Sequence, residues 1–312
     1  MNPSSTKGYY RSLSPLTSSG AYLAAGGWPG LFPNQAPLEL EIGFGNGEYL
    51  AKSSESSPDR NFVGLEVAWN SLKRALRRLA VPARDNVRLL HVPAYPALAH
   101  YFRPKSLSVV RCLFPVPWPN EKQARKRIFS RAFFKLLANR LTDDGVFFMV
   151  TDHEGLARWT MEQAGDSEIS LGLTESRELS DTKYERKWLS SGQNIFFHLT
   201  GRKNNHPNAE ETGVAYMQPR ISNLIDPDNY RPQGRNTEPT VVFGDFLYDS
   251  RRRQGLLAVK VVEDQFIQEF FIRLSRQPDG AFKLTPALAG QVYPTKGVAA
   301  ALSLAALEDL NK

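Results

Sequence analysis

The stretch from Leu38 to Glu48 constrains the fold most. A short apolar strand, Leu38-Glu-Leu-Glu-Ile42, runs into the glycine turn Gly43-Phe-Gly-Asn-Gly47, and a helical pattern starts at Glu48. Glycines in such a turn let the backbone take positive φ and pass close to a ligand. A strand that ends this way and restarts as a helix is a building step of an open α/β sheet, where ligands sit beyond the carboxyl ends of the strands. The first two thirds of the chain repeat that step. Asn61–Glu66, Val87–Val92, Leu107–Phe114 and Val146–Thr151 read as strands. Ala68–Leu79 carries Leu72, Ala75, Leu76 and Leu79 on one stripe, with Lys73, Arg74, Arg77 and Arg78 outside it, which is helical spacing. A long helix is predicted over about 121–140, and another from near Glu154. The alternation predicts a parallel sheet covered on both faces. Two later strands, near 169–179 and 193–201, complete it with an antiparallel hairpin at one edge.

The length, 312 residues, allows two domains. Residues 1–37 are rich in Ser, Gly and Pro and read as a flexible N-terminal segment. Residues 38–203 form the α/β domain. The polar run Arg202–Gly213 opens a linker over 204–238. Beyond it, Thr240–Phe246, Leu256–Val262, Glu269–Leu274 and Phe282–Leu284 read as strands, with turn signals at Asp249-Ser250 and Pro278-Asp-Gly280. With the alanine-rich helix Gly297–Leu310 they predict a small α+β domain over 239–312. That helix reads as a core helix, with a dimer interface as the lesser alternative, so monomer and homodimer both stay open.

Charge points to a partner class. The chain has 39 Lys+Arg and 32 Asp+Glu, a net of +7. Residues 1–203 hold 27 and 19 of these, so the whole excess lies in the first two thirds of the chain. A basic face there attracts a polyanion such as RNA or DNA; a merely solubilising surface is the other reading. The single cysteine, Cys112, excludes an internal disulfide and a Cys-based zinc site and fits a reducing cytoplasm. It lies in the apolar strand Val109-Val-Arg-Cys-Leu113, which predicts a buried inert thiol rather than a nucleophile. His91 and His153 have no second ligand at useful spacing, so no metal is expected. No apolar run approaches the roughly 20 residues that span a bilayer. The start, MNPSSTKGYY, lacks the apolar core of a secretory signal. A cytoplasmic protein is the expectation.

The turn has G-x-G-x-G spacing and not the G-x-G-x-x-G of dinucleotide folds. It has no lysine for a phosphate. That suits methyltransferases that bind S-adenosyl-L-methionine, which has no pyrophosphate. Gly43, Gly45, Gly47 and Glu41 are its candidate contacts, and Glu66, at the end of the second strand, is placed to accept from the ribose hydroxyls. An ordinary tight βα turn with a surface acid is the alternative.

Several longer motifs sharpen this. They are Trp28-Pro-Gly-Leu-Phe32, Pro37-Leu-Glu-Leu-Glu41-Ile-Gly-Phe-Gly-Asn-Gly-Glu48, Asn61-Phe-Val-Gly-Leu-Glu66-Val, Phe114-Pro-Val-Pro-Trp-Pro119, Val150-Thr-Asp152-His-Glu and Thr182-Lys-Tyr-Glu185-Arg-Lys. In this order, over about residues 28–203, the chain resembles bacterial tRNA (guanine-N7)-methyltransferases. The last 110 or so residues fall outside the resemblance. It implies an S-adenosylmethionine-dependent methyltransferase of Rossmann-like fold with a seven-stranded sheet, acting on tRNA in its variable loop. It also implies that Asp152, Thr182 and Glu185 serve the guanine. Two departures stand out. The family's loop reads Phe-Pro-Asp-Pro-Trp-Pro, and Val116 replaces its acid. The family's acid after the third strand is missing from Val92-Pro93-Ala94.

Guanine N7 carries a lone pair and no proton, so methyl transfer to it needs no general base and rests on proximity and orientation. The product base is cationic, and a nearby carboxylate favours it. With Val116 in place of the acid, three readings stay open: an active enzyme relying on Asp152 and Glu185, a methyltransferase for another RNA base, or a weakly active or non-catalytic tRNA-binding protein. For RNA contacts, Lys122, Arg125, Lys126, Arg127 and Arg131 crowd the start of the predicted 121–140 helix, where they can grip phosphates beside the target base. Trp118 is a candidate base stacker or a packing anchor. Arg74, Arg77 and Arg78, and Arg251–Arg253, are weaker candidates.

Overall fold

The computed structural model describes residues 13–79, 85–165, 167–176, 195–203, 218–263, 266–287, 292–293 and 295–308. In chain order the elements are α1 (Ser19–Ala24), α2 (Trp28–Leu31), β1 (Leu38–Ile42), α3 (Glu48–Ser56), β2 (Asn61–Leu65), α4 (Trp69–Leu79), β3 (Val87–Leu90), α5 (Ala94–Tyr101) and β4 (Leu107–Leu113). A 3-10 turn (Glu121–Lys126), α6 (Arg131–Arg140), β5 (Leu141–Thr151), α7 (Glu154–Ala164), β6 (Ile169–Ser176) and β7 (Phe196–Lys203) follow. The remainder is β8 (Arg220–Ser222), β9 (Thr240–Asp249), β10 (Gln254–Glu263), β11 (Phe266–Arg276), β12 (Phe282–Pro286) and α8 (Lys296–Ala305). The described residues group into two compact units: 13–17, 29–94 and 105–203 in one, and 18–28, 95–104 and 218–308 in the other.

The first unit holds a seven-stranded sheet in the order β3-β2-β1-β4-β5-β7-β6. β1 to β5 are parallel, and β7 runs antiparallel to both β5 and β6. This is the expected parallel sheet with its edge hairpin. The order reverses between β1 and β4, so the crevice of an open α/β sheet lies at their carboxyl ends. One sheet face, beneath α3, carries Glu39, Glu41 and Arg111, with Glu41 opposite Arg111 in register. Glu39 is held there by Arg60 at 2.6 Å and Arg111 at 3.5 Å. The other face carries Phe147, which meets Phe129 and Phe134 edge to face at 5.3 and 5.6 Å. Cys112 is buried among these strands, as its sequence context predicts.

Two expectations need correction. The helix over 121–140 is interrupted. Asn120 caps a 3-10 turn by accepting from the Lys122 N–H, Arg127 leaves the helical region at ψ 134°, and Ser130 starts α6 afresh. After the break Phe129 is buried in the aromatic cluster, where it meets Phe133 at 5.3 Å. The described part of the N-terminal segment, expected to lack regular structure, contains α1 and α2. Ser18 caps α1, and the Tyr22 hydroxyl and Trp28 indole N–H both donate to the Tyr101 carbonyl, at 2.8 and 2.6 Å. Buried aromatic rings outweigh the Ser and Gly content there.

The second unit is built on an antiparallel sheet, β8-β12-β11-β10-β9. α8 packs on its inner face, where Val259, Val261, Ile272 and Leu284 meet Val298, Ala301 and Leu302. Thr295 caps α8, and the Glu263 carboxylate accepts from the Gly297 N–H at 2.8 Å. β8 falls inside the stretch expected as linker. It pairs with β12, Ile221 opposite Lys283, and fills that strand's open edge. Residues 204–217 lie outside the described residues.

Candidate active site

β1 delivers its last residues to the glycine turn. The Gly43 N–H donates to the Leu65 carbonyl at 2.8 Å, and the Gly47 N–H to the Phe44 carbonyl at 2.9 Å. Gly43, Gly45 and Gly47 have φ of 71°, 56° and 71°. At Gly47 a Cβ would stand 2.8 Å from the Ala75 Cβ, so glycine is what lets α3 start against α4. At Gly43 and Gly45 the same construction meets no atom within 4 Å. The turn therefore opens onto free space at two residues and is packed tight at the third.

Two carboxylates face this turn region. Glu41 is buried, and its Oε2 has no hydrogen-bond partner. Burial pushes its carboxyl up to about 8, only partly opposed by the Arg111 guanidinium, with Glu66 adding to the rise. Arg111 is fixed in turn by the Tyr49 hydroxyl at 2.6 Å and lies over the rings of Tyr49 and Phe148. Glu66 ties the turn to the start of α4: Oε2 accepts from the Gly45 N–H at 2.9 Å, and Oε1 from the N–H groups of Val67 and Ala68 at 2.8 and 2.9 Å. A carboxylate offers about four acceptor positions. Three are used here, so room remains for about one further donor such as a ribose hydroxyl. An orphaned buried carboxylate oxygen, an open glycine turn and a partly satisfied acid fit a ligand with a cationic amino group and a ribose. S-adenosylmethionine has both.

The loop after β4 forms the other side of the crevice. Phe114 and Trp118 have φ of 55° and 43°, backbone strain of the kind that clusters at functional sites. The Phe114 N–H donates to the Val150 carbonyl at 2.8 Å, which joins this loop to the end of β5 just before Asp152. Val116 is 60% exposed. Arg127, expected to grip phosphate, is placed otherwise: it is 9% exposed and its guanidinium donates to the Pro117 and Trp118 carbonyls at 3.0–3.3 Å. It also lies 5.1 Å from the Trp159 ring centroid. It shapes the loop and does not face solvent. Lys126 stacks over Trp118 at 4.6 Å, while Lys122 and Arg131 are exposed. The side chain of Arg125 lies outside what the structure describes. So do Thr182 and Glu185. Asp152 stands half-buried at the end of β5, and His153 caps α7 by accepting from the Leu156 N–H at Nδ1.

Parallel strand direction thus brings Glu41, Gly43, Gly45, Glu66, the 114–119 loop and Asp152 to one sheet end. The sequence reading missed Tyr49 and Arg111, whose role depends on cross-strand register. It also missed the exposed pair Val67 and Trp69, with His91 Nε2 2.9 Å from the Val67 carbonyl and its ring 5.5 Å from that of Trp69. An apolar pair directly after the strand-end acid was the available signal. Among the described residues no group of three or more His, Cys, Asp or Glu is placed to hold a metal ion. No helix among them is long and apolar enough to cross a membrane.

Comparison with known proteins places the chain. Residues 35–198 match a family described as "Putative methyltransferase". A tRNA (guanine-N(7)-)-methyltransferase of Chlorobium phaeobacteroides is 37% identical over 169 residues, covering 54% of this chain and 83% of the relative. One from Thermus thermophilus is 38% identical over 179 residues, 55% of this chain and 57% of the relative, so the chain spans little more than half of that protein. One from Aquifex aeolicus is 27% identical over 251 residues, 78% of this chain and 84% of the relative, an alignment too long to be confined to the first domain. With its strand order, its glycine turn and this similarity, the chain belongs to the tRNA (guanine-N7)-methyltransferase family.

Proposed function

We propose that this protein transfers a methyl group from S-adenosyl-L-methionine to N7 of a guanine in tRNA, in the variable loop. Family membership supports the reaction. The observation that carries the cofactor is the buried Glu41 Oε2 without a partner beside a glycine turn open at Gly43 and Gly45. The cofactor supplies an electrophilic methyl group. Glu41, Glu66 and the turn would hold it, with Glu41 serving its cationic amino end and Glu66 a ribose hydroxyl. No residue has to remove a proton from N7, so the rest of the site orients the base and balances its new positive charge. Asp152 takes that role, with Thr182 and Glu185. The loop clamped by Arg127 sets one wall, and Lys122, Arg125, Lys126 and Arg131 meet phosphates of the strand. A cytoplasmic location, where tRNA and a reducing pool surround the buried Cys112, accords with this reading.

The test is incubation of the protein with S-adenosylmethionine and undermodified tRNA, with 7-methylguanosine quantified by mass spectrometry. Its formation is expected. Intact tRNA binding without any methylated base would overturn the enzyme reading and leave a tRNA-binding protein.

A further inference from the structure

The sheet of the second unit carries exposed apolar side chains on its outward face. An antiparallel sheet with one solvated face ordinarily alternates apolar inward and polar outward. Here the outward positions of β9, β10 and β11 include Val242, Leu247, Leu256 and Phe271, with Leu247 69% and Phe271 47% exposed. Pairing sets Leu256 between Leu247 and Arg273, and Phe271 beside Ala258. A depression of about 430 Å³ is lined by Val242, Gly244, Ala258 and Phe271 together with Lys260 and Glu269. Its floor stays low because Gly244 has no side chain; a Cβ there would stand 3.2 Å from that of Ala258. Along the strands a second depression, of about 350 Å³, lies between Arg252 and Arg273 over Leu247 and Leu256.

Charge separates the two. Beside the first depression, Lys260 and Glu269 form a 3.0 Å ion pair and cancel. At the other end, Arg251, Arg252 and Arg253 of the β9–β10 turn, with Arg273 and Lys283, outnumber the acids of the two turns there, Asp249 and Asp279; Asp249 lines the second depression and pairs with Arg252 at 3.8 Å, which leaves Arg273 and the neighbouring cations in excess. An aromatic, apolar shelf that passes into a cationic groove matches the alternation of base and phosphate in a nucleic acid strand. We propose that this face binds a single-stranded RNA segment, one base stacking on Phe271 above the Gly244–Ala258 floor and the adjoining phosphate lying between Arg252 and Arg273. The proposal rests on the RNA-methylating reading only for the source of the strand, an unpaired part of the substrate tRNA.

The full chain is titrated against a fluorescein-labelled oligoadenylate of about ten nucleotides, a site size typical of such platforms. It has no guanine and cannot be methylated at guanine N7. Phe271→Ala is expected to weaken binding roughly five- to hundredfold. Arg273→Ala is expected to lower the salt slope by about one. Both positions are solvent-facing, and unchanged unfolding midpoints confirm that the variants fold. Wild-type affinity and salt slope in both variants would overturn the proposal. So would a wild-type dimer that Phe271→Ala splits with oligoadenylate affinity unchanged, since the face then belongs to a second copy. Formation of 7-methylguanosine on whole tRNA, measured alongside, keeps the two readings apart: product with Phe271-independent binding defeats only this one, and Phe271-dependent binding without product defeats only the enzyme.

Discussion

Replacing Glu41 by glutamine is expected to flatten the pH dependence of folding stability across the neutral range. Burial holds the Glu41 carboxyl up at about 8, against an ordinary value of 4.5. Between those values the unfolded chain has released its proton and the folded chain keeps it. The contribution is therefore fully present below 4.5, declines as pH rises, and is gone above about 8. The slope is about 1.4 kcal/mol per pH unit, so this one side chain removes about 4 kcal/mol of stability between about pH 5 and pH 8. Glutamine has nearly the same shape and does not ionise. Urea unfolding of both proteins without cofactor, at several pH values in that range, gives the difference directly, because all other titrations cancel. A cationic ligand beside Oε2 favours the carboxylate. S-adenosylmethionine binding at neutral pH is thus expected to release close to one proton in the natural protein and none from this site in the variant, as read by calorimetry in buffers of different ionisation enthalpy. Stability curves of the two proteins that run parallel from about pH 5 to pH 8 would refute the reasoning.

Other positions give independent checks. Gly47→Ala forces a Cβ to 2.8 Å from that of Ala75 at a φ of 71°, and a thermal melt is expected to show a loss of about 1–3 kcal/mol. Arg127→Ala leaves the Pro117 and Trp118 carbonyls without their guanidinium donor. It is expected to cost about 2–3 kcal/mol and to slow methyl transfer while the salt slope of tRNA binding holds. Lys122→Ala, at an exposed side chain, is expected to do the reverse: stability unchanged and the slope lower by about one in a filter-binding titration. Val116→Asp restores the acid of the family loop at a 60% exposed position, so its carboxylate is solvated and folding is undisturbed. A charge-assisted hydrogen bond to the base is expected to raise single-turnover methylation roughly ten- to hundredfold; no gain would show that the site works without that acid.

The parts of the fold legible in the sequence are those set by local patterns. The strand of Leu38–Ile42 and its glycine turn sit where their residues put them, and so do the four long strands of the second sheet, because two-residue alternation and turn residues act over a few positions. α5 was not foreseen: Ala94-Tyr-Pro-Ala-Leu-Ala-His-Tyr101 has no polar stripe to reveal a period. β8 is three residues long, and its pairing with β12 is a long-range fact. In the site, Glu41 and Glu66 were visible as acids near a turn. That one is buried with an unpartnered oxygen and the other already tied to three backbone N–H groups follows from register and from the reach of side chains.

Arg127 shows why a run of cations is a weak guide to a binding surface. Pro115, Pro117 and Pro119 alternate through the loop after β4, and proline has no N–H to donate. A loop built this way has carbonyls without backbone partners, and buried carbonyls left unpaired are costly. A guanidinium, with five donors in a planar fork, can satisfy several carbonyls from one side. Arg127 does this for Pro117 and Trp118, and among the described side chains of the 122–131 cluster it is the one that the fold buries. Lys126 is drawn to the same loop through the Trp118 ring but stays exposed. The charge run therefore divides by chemistry. The residue whose donors match the loop's needs becomes part of the wall, and Lys122 stays exposed to solvent.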